Sequence, residues 1–182
     1  MRALVIRPAV HEDLDAFFIY LNDHLQDNGM GSTALFMPMA RGASRFPPER
    51  EAAFRKGIAT PVGQPGWRRL WLAFDGDGGI AGHVDLRARQ EPAASHRCLL
   101  GIGVHRAARK RGLGARLIGA AVAWAGGAGL AWIDLEVLSV NTAARALYLG
   151  QQFCTVGELP DLFRIDGESL AYTLMSRRIG GQ

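Results

Sequence analysis

The chain has 182 residues, of which 48% are hydrophobic and 21% charged, a composition that excludes intrinsically disordered and collagen-like proteins. Its formal net charge of +4 is too small for a nucleic-acid-binding signature. The two cysteines, Cys98 and Cys154, cannot build a disulfide framework or a four-sulfur zinc site. We therefore expect one domain over residues 1–182.

Targeting and metal signals are missing from the sequence. No apolar run is long enough to span a membrane, and the first residues lack the pattern of an export signal. The five histidines show no spacing typical of metal ligands. We expect a cytoplasmic protein with no membrane partner and no metal.

The first half of the chain predicts a strand, a helix and a β-hairpin. Residues 3–6 form a short apolar run, and apolar side chains recur at helical spacing over residues 12–22. Residues 28–65 indicate loops and short helices. Residues 67–74 and 80–87 are typical of strands, and the two Asp and three Gly of residues 75–79 predict the turn between them.

The second half alternates strands and helices. We predict strands at 97–104 and 130–138, a helix ending near Ala125, and a helix to about residue 149 with Asn141 as its N-cap. Residues 153–156 and 170–175 predict a final pair of strands. This order indicates an α/β (α+β) fold with helices on both faces of a mixed sheet.

The strand at 97–104 has two unequal faces. One carries Cys98 and alternating apolar side chains, whereas the other holds Gly101 and Gly103. A face without side chains would let another molecule approach the backbone, and the same glycines are also typical of a β-bulge.

A basic, glycine-containing turn follows this strand and leads into an amphipathic helix. It consists of Arg109, Lys110, Arg111, Gly112, Leu113, Gly114 and Ala115. Unpaired amides and the dipole at a helix N-terminus favour phosphate, and the cations suit a ligand with several phosphates. The turn is neither a P-loop nor a dinucleotide fingerprint, since Leu117 stands where the third glycine would be. Taken alone, an exposed basic turn would look similar.

The turn resembles the Arg/Gln-x-x-Gly-x-Gly/Ala motif of the GNAT superfamily of acetyl-CoA-dependent N-acetyltransferases. Further along, the Leu-Glu-Val stretch around Glu136, then Asn141, Tyr148 and Phe153, resemble the second conserved block of that family. The family usually has Gly before this Phe, where the chain has Gln152. The resemblance is most specific over residues 96–175 and weaker over 3–87.

The resemblance implies a GNAT-like, mostly antiparallel sheet whose two central parallel strands, at 97–104 and 130–138, splay apart around acetyl-CoA. It places the pantetheine arm at the backbone of Ile102, Gly103 and Val104. It places the pyrophosphate at the amides of residues 109–115, with Asn141 in the same cofactor site. An amide near Ile102 would also polarise the thioester carbonyl.

The resemblance also suggests catalytic residues. Tyr148 matches the position whose phenol protonates the departing thiolate. Glu136 is the first candidate for the base that accepts the proton of the amine, and His96 is the second. Each has a simpler interpretation, since a helix Tyr is often packing, a strand Glu is often solvated and a His at a strand start is often a cap.

Three functions are consistent with these observations. The favoured one is transfer of acetyl from acetyl-CoA to a primary amine of a small molecule, amino acid or peptide. The alternatives are a non-catalytic module that binds or senses acyl-CoA, and a nucleic-acid module, which ranks last because few aromatics accompany the basic turn. Residues 28–54 would cover the acceptor, which is either an apolar amine or an amino acid whose carboxylate meets Arg41 or Arg45. A homodimer is left open.

Overall fold

The N-terminal part of the protein forms three antiparallel strands. The computed structural model describes residues 4–180. Strand β1 (Val5–Pro8) pairs with β2 (Arg68–Phe74), which pairs with β3 (Ile80–Ala88). We predicted β1 two residues earlier, from Ala3, which lies outside the described residues. Pro8 is tolerated because β1 is an edge strand, where a missing N–H breaks no ladder.

The turn between β2 and β3 forms where it was predicted. The Asp75 carboxylate accepts hydrogen bonds from the amides of Asp77 (3.0 Å) and Gly79 (2.8 Å). Gly78 adopts a φ of 85°, which glycine reaches without strain. The aspartates therefore build the turn itself.

Two helices separate β1 from β2. Helix α1 (Leu14–Leu25) buries Leu14, Phe17 and Leu21 on one side. Helix α2 (Pro48–Ala59) starts with proline in its first turn, where the absent N–H is not needed. The sequence predicted α1, over residues 12–22, and for residues 28–65, which contain α2, only short helices and loops.

The second half of the chain contributes four strands and two helices. Their order is β4 (Arg97–Val104), α3 (Leu113–Gly127), β5 (Trp132–Leu138), α4 (Thr142–Gly150), β6 (Cys154–Ile165) and β7 (Glu168–Arg178). The last two strands are much longer than predicted. They extend along the edge of the sheet, where most side chains of β6 are exposed.

The described residues contain one seven-stranded sheet in the order β1-β2-β3-β4-β5-β7-β6. Only β4 and β5 are parallel, and every other neighbouring pair is antiparallel. This confirms the predicted mixed, mostly antiparallel sheet with a central parallel pair.

Each face of the sheet is covered by its own pair of elements. On the face here called the α1 face, Leu70 and Leu72 of β2 pack with Phe17 of α1 and Phe54 of α2. On the opposite face, here called the α3 face, Leu117 and other apolar residues of α3 pack against β2, β3 and β4. Helices therefore lie on both faces, as predicted.

Candidate functional site

The centre of the sheet opens between β4 and β5. The two strands pair only from Arg97 opposite Trp132 to Leu99 opposite Asp134, and both continue beyond that point without pairing to each other. Since neighbouring strands normally stay within hydrogen-bonding distance, this divergence exposes main-chain groups in the middle of a sheet. The expected V-shaped splay is confirmed.

The β3–β4 register shows which main-chain groups face the opening. The amide of His105 donates to the carbonyl of Ala81, and in an antiparallel ladder such bonded positions recur every second residue. Gly101 and Gly103 therefore bond towards β3. The N–H and C=O groups of Ile102 and Val104 point towards β5, into the opening. They can hold an extended ligand that carries amide groups.

The glycine face of β4 is not open to a ligand, contrary to our interpretation of the sequence. A Cβ on Gly103 would lie 2.5 Å from the His83 ring and 2.8 Å from Nε2 of His24, and one on Gly101 would lie 2.5 Å from the Asp85 carboxylate. The β3–β4 register is also continuous here, so the glycines mark no bulge. They are needed because side chains on the α1 face occupy that space.

The N-terminus of α3 lies close to the end of β4 and has no side-chain cap. Gly112 is the N-cap residue, with a φ of 74°, and Lys110 also has a positive φ of 60°. The side chains of Lys110 and Arg111 are exposed. The first amides of α3, its dipole and two cations together form an anion-binding surface.

Arg109 and Gly114 have structural roles within this motif. The Arg109 guanidinium donates to the Val104 carbonyl (3.0 Å) and to Asp27 (2.8 Å), which ties the turn to the end of α1. A Cβ on Gly114 would approach the Leu147 side chain to 2.8 Å, so Gly114 lets α3 and α4 pack closely. The side-chain charge available to an anion is therefore that of Lys110 and Arg111.

Tyr148 is buried in α4 on the α3 side of the opening. Its ring packs edge-on against Phe153, with 5.9 Å between centroids. Within residues 4–180 its hydroxyl has no hydrogen-bond partner, and burial raises its pKa above the ordinary value of 10. The phenol is thus protonated at neutral pH and has a proton to donate.

Glu136 projects to the opposite side. It alternates along β5 with the buried residues Leu135 and Val137, so its exposed carboxylate lies on the α1 face. Tyr172 of β7 lies on the same face, two pairs further along the β5–β7 ladder, where it is opposite Leu138. Burial chiefly raises the pKa of Tyr172, Glu136 raises it further, and Arg87 of β3 lowers it. These three polar groups therefore surround one region beside the opening.

Sequence reasoning did not identify Tyr172 or Arg87. The alternation of side chains along the predicted strands could have assigned Tyr172 and Arg87 to one face of their own strands. It could not show that both strands turn that face towards Glu136, because the pairing of β5 with β7 joins residues far apart in the chain.

His96 lies away from these groups. It is exposed and precedes β4, at the end where β4 and β5 still pair, whereas Val104 is at the other end of that eight-residue strand. At about 3.3 Å per residue, the eight steps from His96 to Val104 span roughly 26 Å. The structure does not bring His96 together with Glu136 and Tyr148.

Asn141 caps α4, as predicted. Its side-chain oxygen accepts a hydrogen bond from the amide of Ala144 at 3.2 Å. The cap fixes the start of the helix that carries Tyr148, and the side-chain NH₂ remains as a donor beside the opening.

The segment between α1 and α2 covers the α1 side of the opening and is held by Asn28. The Asn28 side chain is fully buried, and its oxygen accepts from the amides of Phe36 (2.7 Å) and Met37 (2.9 Å). Its NH₂ donates to Met37, Met39 and Ser44. One side chain thus fixes the course of the whole segment.

Arg41 of this segment is not free to bind a substrate carboxylate. Its guanidinium forms ion pairs with Asp166 and Glu168, both at 3.1 Å, in the turn between β6 and β7. It closes one side of a shallow cavity of about 280 Å³ that Leu35 and Val140 also line.

Two buried histidines lie beneath the glycine face of β4. Nδ1 of His83 is 3.2 Å from the Tyr20 hydroxyl, which donates to the Gly103 carbonyl at 3.3 Å. His24 stacks on Phe36, and its Nδ1 has no partner in the described chain. Burial lowers the pKa of His24 to about 3 and that of His83 to about 4. Both rings are neutral at physiological pH.

Residues 4–180 offer neither a metal-binding cluster nor a membrane-spanning helix. They contain no cluster of three or more His, Cys, Asp or Glu that could hold a metal ion. They also contain no helix that is both long and apolar enough to cross a bilayer.

Solved structures share this architecture. A GNAT-family acetyltransferase from Streptococcus pneumoniae is 24% identical and aligns with a TM-score of 0.78 over 98% of this chain and 100% of its own. A phosphinothricin acetyltransferase from Sinorhizobium meliloti, solved in complex with acetyl-CoA, is 21% identical, with a TM-score of 0.77 over 97% and 89%. The protein yncA from Salmonella typhimurium, solved with its cofactor acetyl-CoA, is 19% identical, with a TM-score of 0.78 over 100% and 96%. These likenesses establish the fold.

Sequence comparison gives the family. No curated protein sequence matches the chain. Residues 38–152, more than half of the chain, match the sequence model of the Acetyltransferase (GNAT) family. The protein is therefore an acyltransferase that belongs to the GNAT acetyltransferase family.

Proposed function

We propose that the chain, as one catalytic domain, transfers the acetyl group of acetyl-CoA directly to a primary amine within a ternary complex. One observation carries the proposal: the opening of the sheet between β4 and β5 leads directly to an uncapped, basic helix N-terminus. A linear ligand with amide groups at one end and phosphates at the other matches both parts.

The cofactor would lie along β4. The main-chain groups of Ile102 and the amide of Val104, whose carbonyl already accepts from Arg109, would bond the pantetheine amides as a neighbouring strand would. The pyrophosphate would sit at the amides of residues 112–115, with Lys110 and Arg111 adding charge. The side-chain amide of Asn141 is a further donor.

The two catalytic candidates lie on opposite sides of the opening, which suits a displacement. The amine would attack the thioester carbonyl from the α1 side, where Glu136 can accept its proton directly or through water. The new C–N bond would form first, which places negative charge on the carbonyl oxygen, and the C–S bond would break as this tetrahedral intermediate collapses. Tyr148, on the α3 side, would give its proton to the departing sulfur. An amide at Ile102 would stabilise the developing oxyanion.

A calorimetric titration with acetyl-CoA tests the cofactor site. Gly112→Asp would place a carboxylate against the phosphates, and Asp is among the residues that tolerate a positive φ. We expect binding about 100-fold weaker or worse. Gly119→Asp is the matched control, because Gly119 lies on the same helix, is exposed and has open space around it. It should bind as the wild type does.

Release of free CoA in the presence of a panel of primary amines tests turnover. Amine-dependent release is the expected result. Acetyl-CoA binding with no release on any amine would instead indicate the non-catalytic module, and no binding to folded wild type would overturn the proposal.

A further inference from the structure

The α1 face beside the opening carries an uncompensated positive charge at Arg87. The buried Asp85 carboxylate is bonded by Arg68 at 2.5 Å, and the same oxygen lies 3.5 Å from Arg87. One carboxylate cannot neutralise two guanidinium groups. Because Arg68 makes the short contact, the surplus charge belongs to Arg87.

The neighbouring arginines are better paired. Arg97 contacts both oxygens of the buried Asp134, at 2.5 and 2.8 Å. Arg89 contacts the same carboxylate at 3.0 Å and has a second acidic partner, Glu91, at 3.7 Å. In the described chain Arg87 has the long contact to Asp85 as its only ion pair, and 36% of its side chain is exposed. Most of its five N–H donors are therefore available to a ligand.

Arg87 lies where β4 and β5 separate. A Cβ on Gly101 would come within 3.2 Å of its guanidinium, so the side chain extends over the β4 backbone at that glycine. Leu99 opposite Asp134 is the last pair of the parallel ladder, so Gly101 stands at the start of the opening. Glu136 stands at the corresponding place on β5, two residues beyond Asp134.

Arg87 and Glu136 both lie near Tyr172 but do not form an ion pair with each other. Within residues 4–180 Glu136 forms no ion pair, whereas both charges influence the pKa of Tyr172, in opposite directions. The Tyr172 ring is held by an edge-on contact with Phe163, with 5.0 Å between centroids. A guanidinium, a carboxylate and a phenol thus lie near one another on the α1 face, beside the opening.

We infer that Arg87 binds the carboxylate of the acceptor while Glu136 receives its amine, so that the substrate is a free amino acid or a close analogue. This rests on the proposed function and narrows it. A guanidinium matches a carboxylate with two parallel hydrogen bonds. A peptide N-terminus has a neutral amide in place of that carboxylate, and a polyamine has a second cation. Neither therefore matches the positive charge of Arg87.

Matched acceptors test this inference. CoA release is measured on the twenty amino acids and on their α-carboxamides, which keep the amine and remove the negative charge. The proteins are wild type, Arg87→Gln, Arg87→Lys and Arg45→Gln, the last being the exposed arginine that the sequence offered as an alternative. Acetyl-CoA affinity of every variant is measured by calorimetry to show that the fold and the cofactor site are intact.

We expect wild type to prefer at least one amino acid over its carboxamide by about tenfold or more in kcat/KM. Arg87→Gln should abolish that preference through KM, with acetyl-CoA affinity unchanged, and Arg87→Lys should restore part of it. Arg45→Gln should behave as wild type.

Other outcomes overturn the inference. Carboxamides or polyamines used as well as amino acids, or a preference lost in Arg45→Gln and kept in Arg87→Gln, would do so while leaving acetyl transfer intact. Acetyl-CoA binding without release on any amine would overturn the proposed function itself.

Discussion

The two sides of the opening between β4 and β5 differ in whether main-chain groups or side chains line them. The side that we propose for the cofactor, here called the cofactor side, consists largely of main-chain groups within one continuous stretch, from Ile102 to the first turn of α3. The side that we propose for the acceptor, here called the acceptor side, consists of side chains from β3, β5 and β7 and from the segment between α1 and α2. The first depends on local backbone conformation. The second depends on how distant segments pair.

This difference implies different responses to mutation. A main-chain site is changed only by residues that alter backbone shape or add bulk and charge, whereas each side chain on the acceptor side can be removed singly. The predictions below test that division, from the largest expected effect to the smallest.

Tyr148→Phe should lower kcat by about 100-fold or more, because it removes the proton donor to sulfur. Its acetyl-CoA affinity should stay at the wild-type value, since the main-chain contacts are untouched. Burial raises the pKa of Tyr148, so its phenol stays protonated up to at least about pH 9. Any change of activity below that pH should therefore come from another group. Tyr172→Phe is the control, and it should lower kcat by less than about tenfold. An unchanged kcat in Tyr148→Phe would remove it from the mechanism.

Glu136→Gln should lower kcat/KM by about 10- to 100-fold at pH 7. The loss should shrink as pH rises, because the deprotonated fraction of the amine grows about tenfold per unit and the base becomes unnecessary. Glu49→Gln, an exposed position on α2, should show no such effect. A loss that is constant with pH would mean that Glu136 is not the proton acceptor.

Acid should destabilise the α1 face. His24 and His83 have pKa values lowered to about 3 and 4 by burial, whereas an unfolded histidine titrates near 6.5. The unfolded state therefore binds more protons below about pH 6.5. The contribution of the two neutral rings to the free energy of unfolding is fully present above that pH. It is lost as pH falls towards 4, by up to about 1.4 kcal/mol per pH unit and per ring.

Urea unfolding between pH 7.5 and 4.5 measures this slope. His83→Asn should reduce it, and His11→Asn, at an exposed histidine, should not. Carboxylates such as Asp134, whose pKa is lowered despite its burial by bonds from Arg97 and Ser176, lose their contribution below this window. A flat profile from pH 7.5 to 4.5 would show that the two rings are not buried neutral.

Arg41→Gln should have the smallest effect. Its guanidinium is exposed and paired with Asp166 and Glu168, and such surface pairs stabilise weakly. KM for the acceptor should change by less than about twofold, since the charge is already neutralised. A large rise in KM would return Arg41 to the role that the sequence suggested.

The elements with strong local patterns were predictable. The strand at 97–104 was placed correctly to the residue, and the N-cap of α4 and the turn at 75–79 formed as expected. Helix α2 was expected only as one of the short helices within residues 28–65, and its bounds were not placed because only Phe54 and Gly57 of its twelve residues are buried. The length of β6 was missed because an exposed edge strand shows little alternation.

The site was predictable only where its chemistry is local. Gly112 at a positive φ and the uncapped start of α3 follow from the basic turn. The glycines at 101 and 103 were misinterpreted because the side chains that fill their space, Asp85 and His83, come from another strand. Arg109 bonds Asp27, far earlier in the chain, so its engagement could not be inferred from the motif.

The bonding of Asn28 has a further consequence for how acceptors are selected. Because all five of its hydrogen bonds are made within the protein, the segment it holds loses its conformational freedom during folding and not during substrate binding. On the proposed function, in which this segment covers the acceptor, we expect selectivity to be preorganised, with little induced fit. Exchange of residues 29–43 with Asn28 and Ser44 kept in place should then change which acceptors the enzyme uses.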